Sequence, residues 1–185
     1  MDLSVLDDLK TKELRKEYKA FLGEEDKHSD YYLKRFDKMD DTGGKFSLNF
    51  AAFFFSTYWC FYRKLFGPGA IFLLFNFAGL YLTIMKPELA SLGSALAFIP
   101  AIACGLFGNF FYYNYVRKNI ALGLDKSYEE KAKLYTNNGG TSVRIVLGIV
   151  AAFLCFGLAL FFSAGPAAVE NLQNTTPLPV VPPAE

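Results

Sequence analysis

Residues 65–85 form a run of 21 positions without a charged side chain. As an α-helix that run is about 31 Å long, the thickness of a bilayer's hydrocarbon core. Two more apolar runs follow, 89–116 and 145–164, each bounded by polar sequence. A chain of 185 residues that is 52% hydrophobic, with 20 Phe and 11 Tyr, has more apolar surface than a water-soluble domain of this size can bury. The expected fold is therefore an all-α membrane protein whose transmembrane helices occupy about 65–85, 89–113 and 145–164, within a transmembrane domain at 65–166. Gly67-Pro68-Gly69 is expected to bend the chain into the first span, Lys86-Pro87-Glu88 to turn it at the far end, and Pro100 to kink the second span. Gly105, Gly108, Ala101, Gly148, Ala152 and Gly157 offer small surfaces for close helix approach.

The flanks read differently. In residues 1–45, Leu14, Tyr18, Phe21 and Leu22 recur at helical spacing, and Tyr32, Phe36 and Met39 repeat the pattern. This spacing predicts two amphipathic helices, separated at 23–28, with Ser29 as N-cap of the second. Ten Lys/Arg and twelve Asp/Glu make the region a solvated, mixed-charge surface and not a polybasic lipid anchor. Residues 1–23 are charged throughout, so no cleavable leader is expected and the first apolar segment serves as insertion signal. Between the second and third spans, the loop at 117–144 holds a short polar helix at 125–135, opened by a capping box of Ser127 and Glu130. Residues 167–185, rich in proline and without Lys or Arg, are expected to be disordered.

Residues 46–64 are the unusual part. Aromatics hold more than half of positions 46–62, and Arg63-Lys64 follow at once. Trp and Tyr favour the headgroup level, where a ring can be buried and its polar tip wetted. Seventeen residues are at the lower limit for a span, so the charge distribution has to arbitrate. If this segment does not cross, 18 of the 19 Lys/Arg share one side, with Lys86 alone opposite; if it crosses, the division is eleven against eight. Cytoplasmic flanks hold the excess of Lys and Arg, which favours a re-entrant or in-plane aromatic helix, three spans and a cytoplasmic N-terminus. Four spans is the alternative.

Charge and residue type exclude several roles. A net charge of +1 without a basic stripe argues against nucleic acid. Cys60, Cys104 and Cys155 each sit in a different apolar run and read as small hydrophobes. His28 stands in polar sequence far from any cysteine, so no metal or cofactor site is expected. Asp37, Asp40, Asp41 and Gly43 hint at a calcium loop, but Met39, Thr42 and Leu48 stand where that loop needs ligands and glycine, leaving a charged turn. Asn76, Asn109 and Asn114 are the intramembrane polar residues that need partners, with interhelical hydrogen bonding the default and an ion or substrate path the alternative. Asp, Glu, Lys and Arg are missing from mid-span positions, where pumps and proton-coupled carriers need them. No nucleophile, base and metal ligand stand in a usable arrangement, so the chain is not expected to be an enzyme.

The membrane-interface motif of Phe53, Trp59, Tyr62, Arg63 and Lys64, set in Phe50-Ala51-Ala52-Phe53-Phe54-Phe55, resembles the opening signature of bacterial domain-of-unknown-function family 2628. Asn109, Tyr112, Tyr113 and Val116-Arg117-Lys118 resemble a second family segment, and Gly139-Gly140-Thr141-Ser142 a third, over about 46–163 in all. Asn49-Phe50 and Ser56-Thr57 depart from the family's usual residues there. The resemblance implies a small bacterial inner-membrane protein and brings no activity with it. The functional expectation is a non-enzymatic interaction or adaptor protein with a protein partner at the cytoplasmic face, alone or as a homo-oligomer; the alternative is a small transporter or channel subunit.

Overall fold

The computed structural model describes residue 6, residues 11–23 and residues 29–175, and no strand occurs among them. Seven α-helices follow in order: α1 Thr11–Leu22, α2 Ser29–Thr42, α3 Phe50–Tyr62, α4 Phe66–Met85, α5 Ala90–Gly123, α6 Tyr128–Asn138 and α7 Val143–Thr175, with a 3-10 turn at Pro87–Leu89 before α5. Among the described residues three helical stretches are long and apolar enough to cross a membrane: Phe66–Met85, Pro87–Gly123 and Tyr128–Ser163.

The amphipathic periods of α1 and α2 are consumed by packing. Leu14, Tyr18, Phe21 and Leu22 of α1 and Tyr32, Leu33, Phe36 and Met39 of α2 are all buried. Each helix ends as its sequence dictates, at a glycine with positive φ: Gly23 (φ 94°) donates its N–H to Lys19 O, and Gly43 (φ 65°) to Met39 O. α2 begins at Ser29 itself. The expected separator at 24–28, His28 included, lies outside the described residues.

α4 and α5 form an antiparallel pair around a glycine crossing. A Cβ on Gly79 would come within 2.6 Å of Gly93 O, and one on Gly93 within 2.6 Å of Gly79 O, so only glycine permits this backbone approach. α5 remains one helix through Pro100, whose side chain is fully buried. Its 34 residues reach about 51 Å, well beyond one bilayer thickness. That corrects the loop expected from 117: the helix runs past the expected span end near 113 and continues to Gly123, with Val116, Arg117, Asn119 and Ile120 buried. Charge at Arg117 ends the apolar run without ending the helix, because Asp40 of α2 pairs with it. At the other end of the chain, α7 continues to Thr175, so residues 167–175, expected to be disordered, are helical; 176–185 lie outside the described residues.

The break in the backbone falls in α3. Ser56 sits at φ 32°, ψ −105°, dividing the element into two half-helices. Their course can be followed against α5. The chain enters with Ser47 N–H on Leu106 O and Asn49 N–H on Gly105 O. Phe53 then packs on Gly105 and lies 6.0 Å from Phe98, a turn or two further along α5. Beyond the break, Cys60 meets Cys104, and Arg63 reaches Tyr112. Both ends of α3 therefore lie at the Asn109–Tyr112 level of α5, and the break lies deeper. A hairpin has this geometry; a straight helix of 13 residues does not.

Candidate functional site

At the level where α3 begins and ends, residues from five helices meet. Asn109, fully buried on α5, accepts a hydrogen bond from Asn49 Nδ2 at 2.8 Å and donates to Ser47 Oγ at 2.9 Å. Asn49 in turn accepts from Ala52 N–H at 2.9 Å, capping the first half-helix of α3. One buried amide pair thus pins the entry of the hairpin to α5. Its polar groups are matched, which is the condition for burying an amide at all.

The exit is pinned by aromatic contacts. The Arg63 guanidinium, buried, lies 4.6 Å from the Tyr32 ring of α2, 5.4 Å from Tyr112 of α5 and 5.5 Å from Tyr62. Trp59 packs edge-on to Tyr112 at 6.2 Å. A cation held against ring faces is attracted by their quadrupoles, most strongly when water is excluded. Burial raises the Tyr32 phenol above its ordinary pKa, and the Arg63 charge opposes that shift. Lys64, with φ 59°, donates to Thr136 O and Asn137 O at 3.4 and 2.9 Å. These are last-turn carbonyls of α6, the negative end of its dipole. Burial lowers the Lys64 pKa from its ordinary value.

A second polar knot lies beside the first. Asp40 accepts from Tyr18 Oη at 3.0 Å, Tyr113 Oη at 2.6 Å and Arg117 Nη1 at 2.8 Å, tying α1, α2 and α5 together. Glu17 of α1 accepts from Tyr135 Oη and pairs with Lys131, both on α6. Ser142 N–H donates to Tyr62 O, and a Cβ on Gly139 would lie 2.2 Å from Phe21 O, so position 139 fits under α1 only as glycine. Between α1 and α6 remains an open cleft of about 600 Å³, walled by Glu17, Phe21, Tyr128, Lys131, Tyr135 and Gly140.

The residues singled out from the sequence divide by depth. Trp59, Tyr62, Arg63, Lys64 and Asn109 converge on this junction. Phe53 sits deeper, against Gly105 and Phe98. Asn76 is deeper still in the bundle, accepting from Thr57 Oγ1 at 2.6 Å and donating to Ala97 O at 3.4 Å, so it links α3, α4 and α5. Asn114 donates to Phe110 O of its own helix. The joining of Asp40 with Tyr18 and Tyr113, and of Glu17 with Tyr135, was not legible, because no local spacing relates α1 to the end of α5 or to α6. The Cys60 and Cys104 sulfurs, read as isolated, lie 3.5 Å apart. Among the described residues no three His, Cys, Asp or Glu side chains come together in a way that could hold a metal ion.

Residues 12–118 match the family described as "Protein of unknown function (DUF2628)". The chain belongs to this family. No curated protein and no solved structure matches it. The DUF2628 match begins earlier than the resemblance read from the motifs, taking in α1 and α2, and ends at Lys118, so Gly139–Ser142 fall outside it. It therefore contains both arms of the hairpin and the residues Asn109, Arg63 and Asp40 at which the helices meet.

Proposed function

We propose that this DUF2628 protein is a multi-pass protein of the bacterial cytoplasmic membrane. In this reading α4, α5 and α7 cross, α3 is a re-entrant hairpin, and α1, α2, α6 and the end of α5 form a cytoplasmic cap that binds a protein partner without catalysing a reaction. The observation that carries the topology is the contact of Arg63 with Tyr32: residues on either side of the aromatic segment touch, so they share one side of the bilayer. The lysines and arginines of that side then set it as the cytoplasmic one. Phe50, Phe54 and Phe55 remain 63–75% exposed, which suits rings facing acyl chains and not water.

The interaction role rests on how the cap is built. Its apolar faces are spent inside the protein, and what it presents outward is charged helix surface and the cleft between α1 and α6. The amides of Asn76 and Asn109 are likewise spent on neighbouring helices, which speaks against their lining a transport path. A reporter active only outside the cytoplasm, fused after Lys64, is expected to be silent; activity there overturns the topology. A photo-crosslinking residue at Ala132, on the cleft wall, is expected to trap a protein in native membranes. Recovery of lipid adducts alone overturns the adaptor reading.

A further inference from the structure

A groove separates the first half of α3 from α5 on the outer surface of the bundle. It holds about 310 Å³ and is lined by Leu48, Phe53, Phe54, Ile102, Gly105 and Leu106. Asn49, at its edge, contributes no free polar group, since its side chain is committed to Asn109 and Ala52. Leu48, Phe54 and Ile102 are 62%, 75% and 46% exposed, so the groove opens sideways. Its deep end lies toward Phe98, and its mouth at Leu48, on the level of Leu106 and Asn109.

Two cations stand near that mouth, each beside a residue next to it and neither in the groove's own lining. The Arg35 guanidinium lies 3.3 Å over the Tyr31 ring, and the Tyr31 hydroxyl donates to Leu48 O at 3.3 Å. Lys45, three residues before Leu48, holds its ammonium 6.0 Å from the Phe110 ring. Basic side chains at the end of an apolar groove, at the depth where a chain passes from hydrocarbon to headgroups, match a ligand with an anionic head and an alkyl tail. We infer that this groove binds one anionic phospholipid of the surrounding bilayer, its phosphate at Arg35 and Lys45 and one acyl chain between α3 and α5. A soluble phosphate compound would leave the groove empty, and an uncharged or zwitterionic lipid would leave the two cations without a net counter-charge.

The inference rests on the hairpin reading of α3, and its test is separable from that of the topology. The full chain, in a mild non-ionic detergent, is titrated with phosphatidylglycerol and with phosphatidylcholine of the same acyl chains. Native mass spectrometry counts the retained lipid, and the thermal midpoint reports stabilisation. One retained phosphatidylglycerol is expected, preferred over phosphatidylcholine by about tenfold. Arg35→Gln with Lys45→Glu, the first half-buried on Tyr31 and the second exposed, is expected to bring the two lipids to parity. Ile102→Trp, which fills the groove from an exposed position, is expected to abolish retention while leaving the lipid-free thermal midpoint unchanged. Equal retention of the two lipids by the unaltered chain, or inorganic phosphate alone reproducing the midpoint shift, overturns the lipid site. If lipid parity is found while the Lys64 reporter is silent, the hairpin stands and the lipid site falls.

Discussion

Asp40 accepts hydrogen bonds from three side chains carried on two other helices, whereas its neighbour Asp37 pairs only with Arg15 among the described ion pairs, a side chain 52% exposed. The two carboxylates are alike in sequence and unlike in consequence. Asp40→Ala removes the acceptor shared by Tyr18, Tyr113 and Arg117 and is expected to cost about 1–3 kcal/mol, while Asp37→Ala costs about 0–1 kcal/mol. Thermal unfolding of the two variants in detergent checks the ranking. Tyr18 adds a pH dependence. Burial, reinforced by the Asp40 charge, raises its pKa above the ordinary 10. The neutral phenol is thus favoured in the folded protein, so its contribution is complete below pH 10 and is lost as pH rises above it. The difference in thermal midpoint between the unaltered chain and Tyr18→Phe is expected to be constant from pH 7 to 9 and to shrink at pH 10.5. A constant difference across the whole range would show that Tyr18 ionises equally in both states.

Among the helices, close approach and breakage are placed by different residues. Gly79 and Gly93 let α4 and α5 touch backbone to backbone, and a Cβ on Gly93 would also lie 2.6 Å from Thr83 Oγ1. Gly148 of α7 has open space around it. Gly93→Val is therefore expected to destabilise by about 1–3 kcal/mol or more through overpacking, and Gly148→Val to be nearly neutral, in the same unfolding assay. Both glycines stood in apolar runs, and nothing in the sequence distinguished them. The break was marked only by the departure from the family's usual residues at Ser56-Thr57. Pro100 carried a sequence signal for a bend and lies inside a continuous α5, while Ser56 takes the positive φ that turns α3 back. Tertiary hydrogen bonds at both ends of the aromatic segment over-determine that turn and hold the strained residue in place.

Taken as a whole, the molecule is a helical bundle with a cap riveted to it at the level of Asn109 and Arg63. Cap and hairpin share one fastener, since Arg63 lies against Tyr32 of α2 and Tyr112 of α5 at once. Arg63→Ala is expected to loosen both together: limited proteolysis should cut between α1 and α2 several-fold faster than in the unaltered chain, with cleavage between α4 and α5 unchanged. Equal rates at both places would mean that the cap holds without Arg63.

The apolar runs, the amphipathic periods of α1 and α2, the capping box of α6 and the stop at Gly23 were legible in the residues, because each depends on neighbours a few positions away. Helix content, the three membrane-length helices and the motif residues followed from them. The extension of α5 past Arg117, the position of the reversal at Ser56 and the meeting of Asp40 with Tyr18, Tyr113 and Arg117 did not. Each depends on pairs separated by 20 to 80 residues, such as Arg117 with Asp40 or Asn109 with Asn49, and a charge or amide read alone looks like an end or a defect until its distant partner is in place. Local chemistry decided which segments are helices and which are apolar; long-range polar pairing decided where they stop, turn and join.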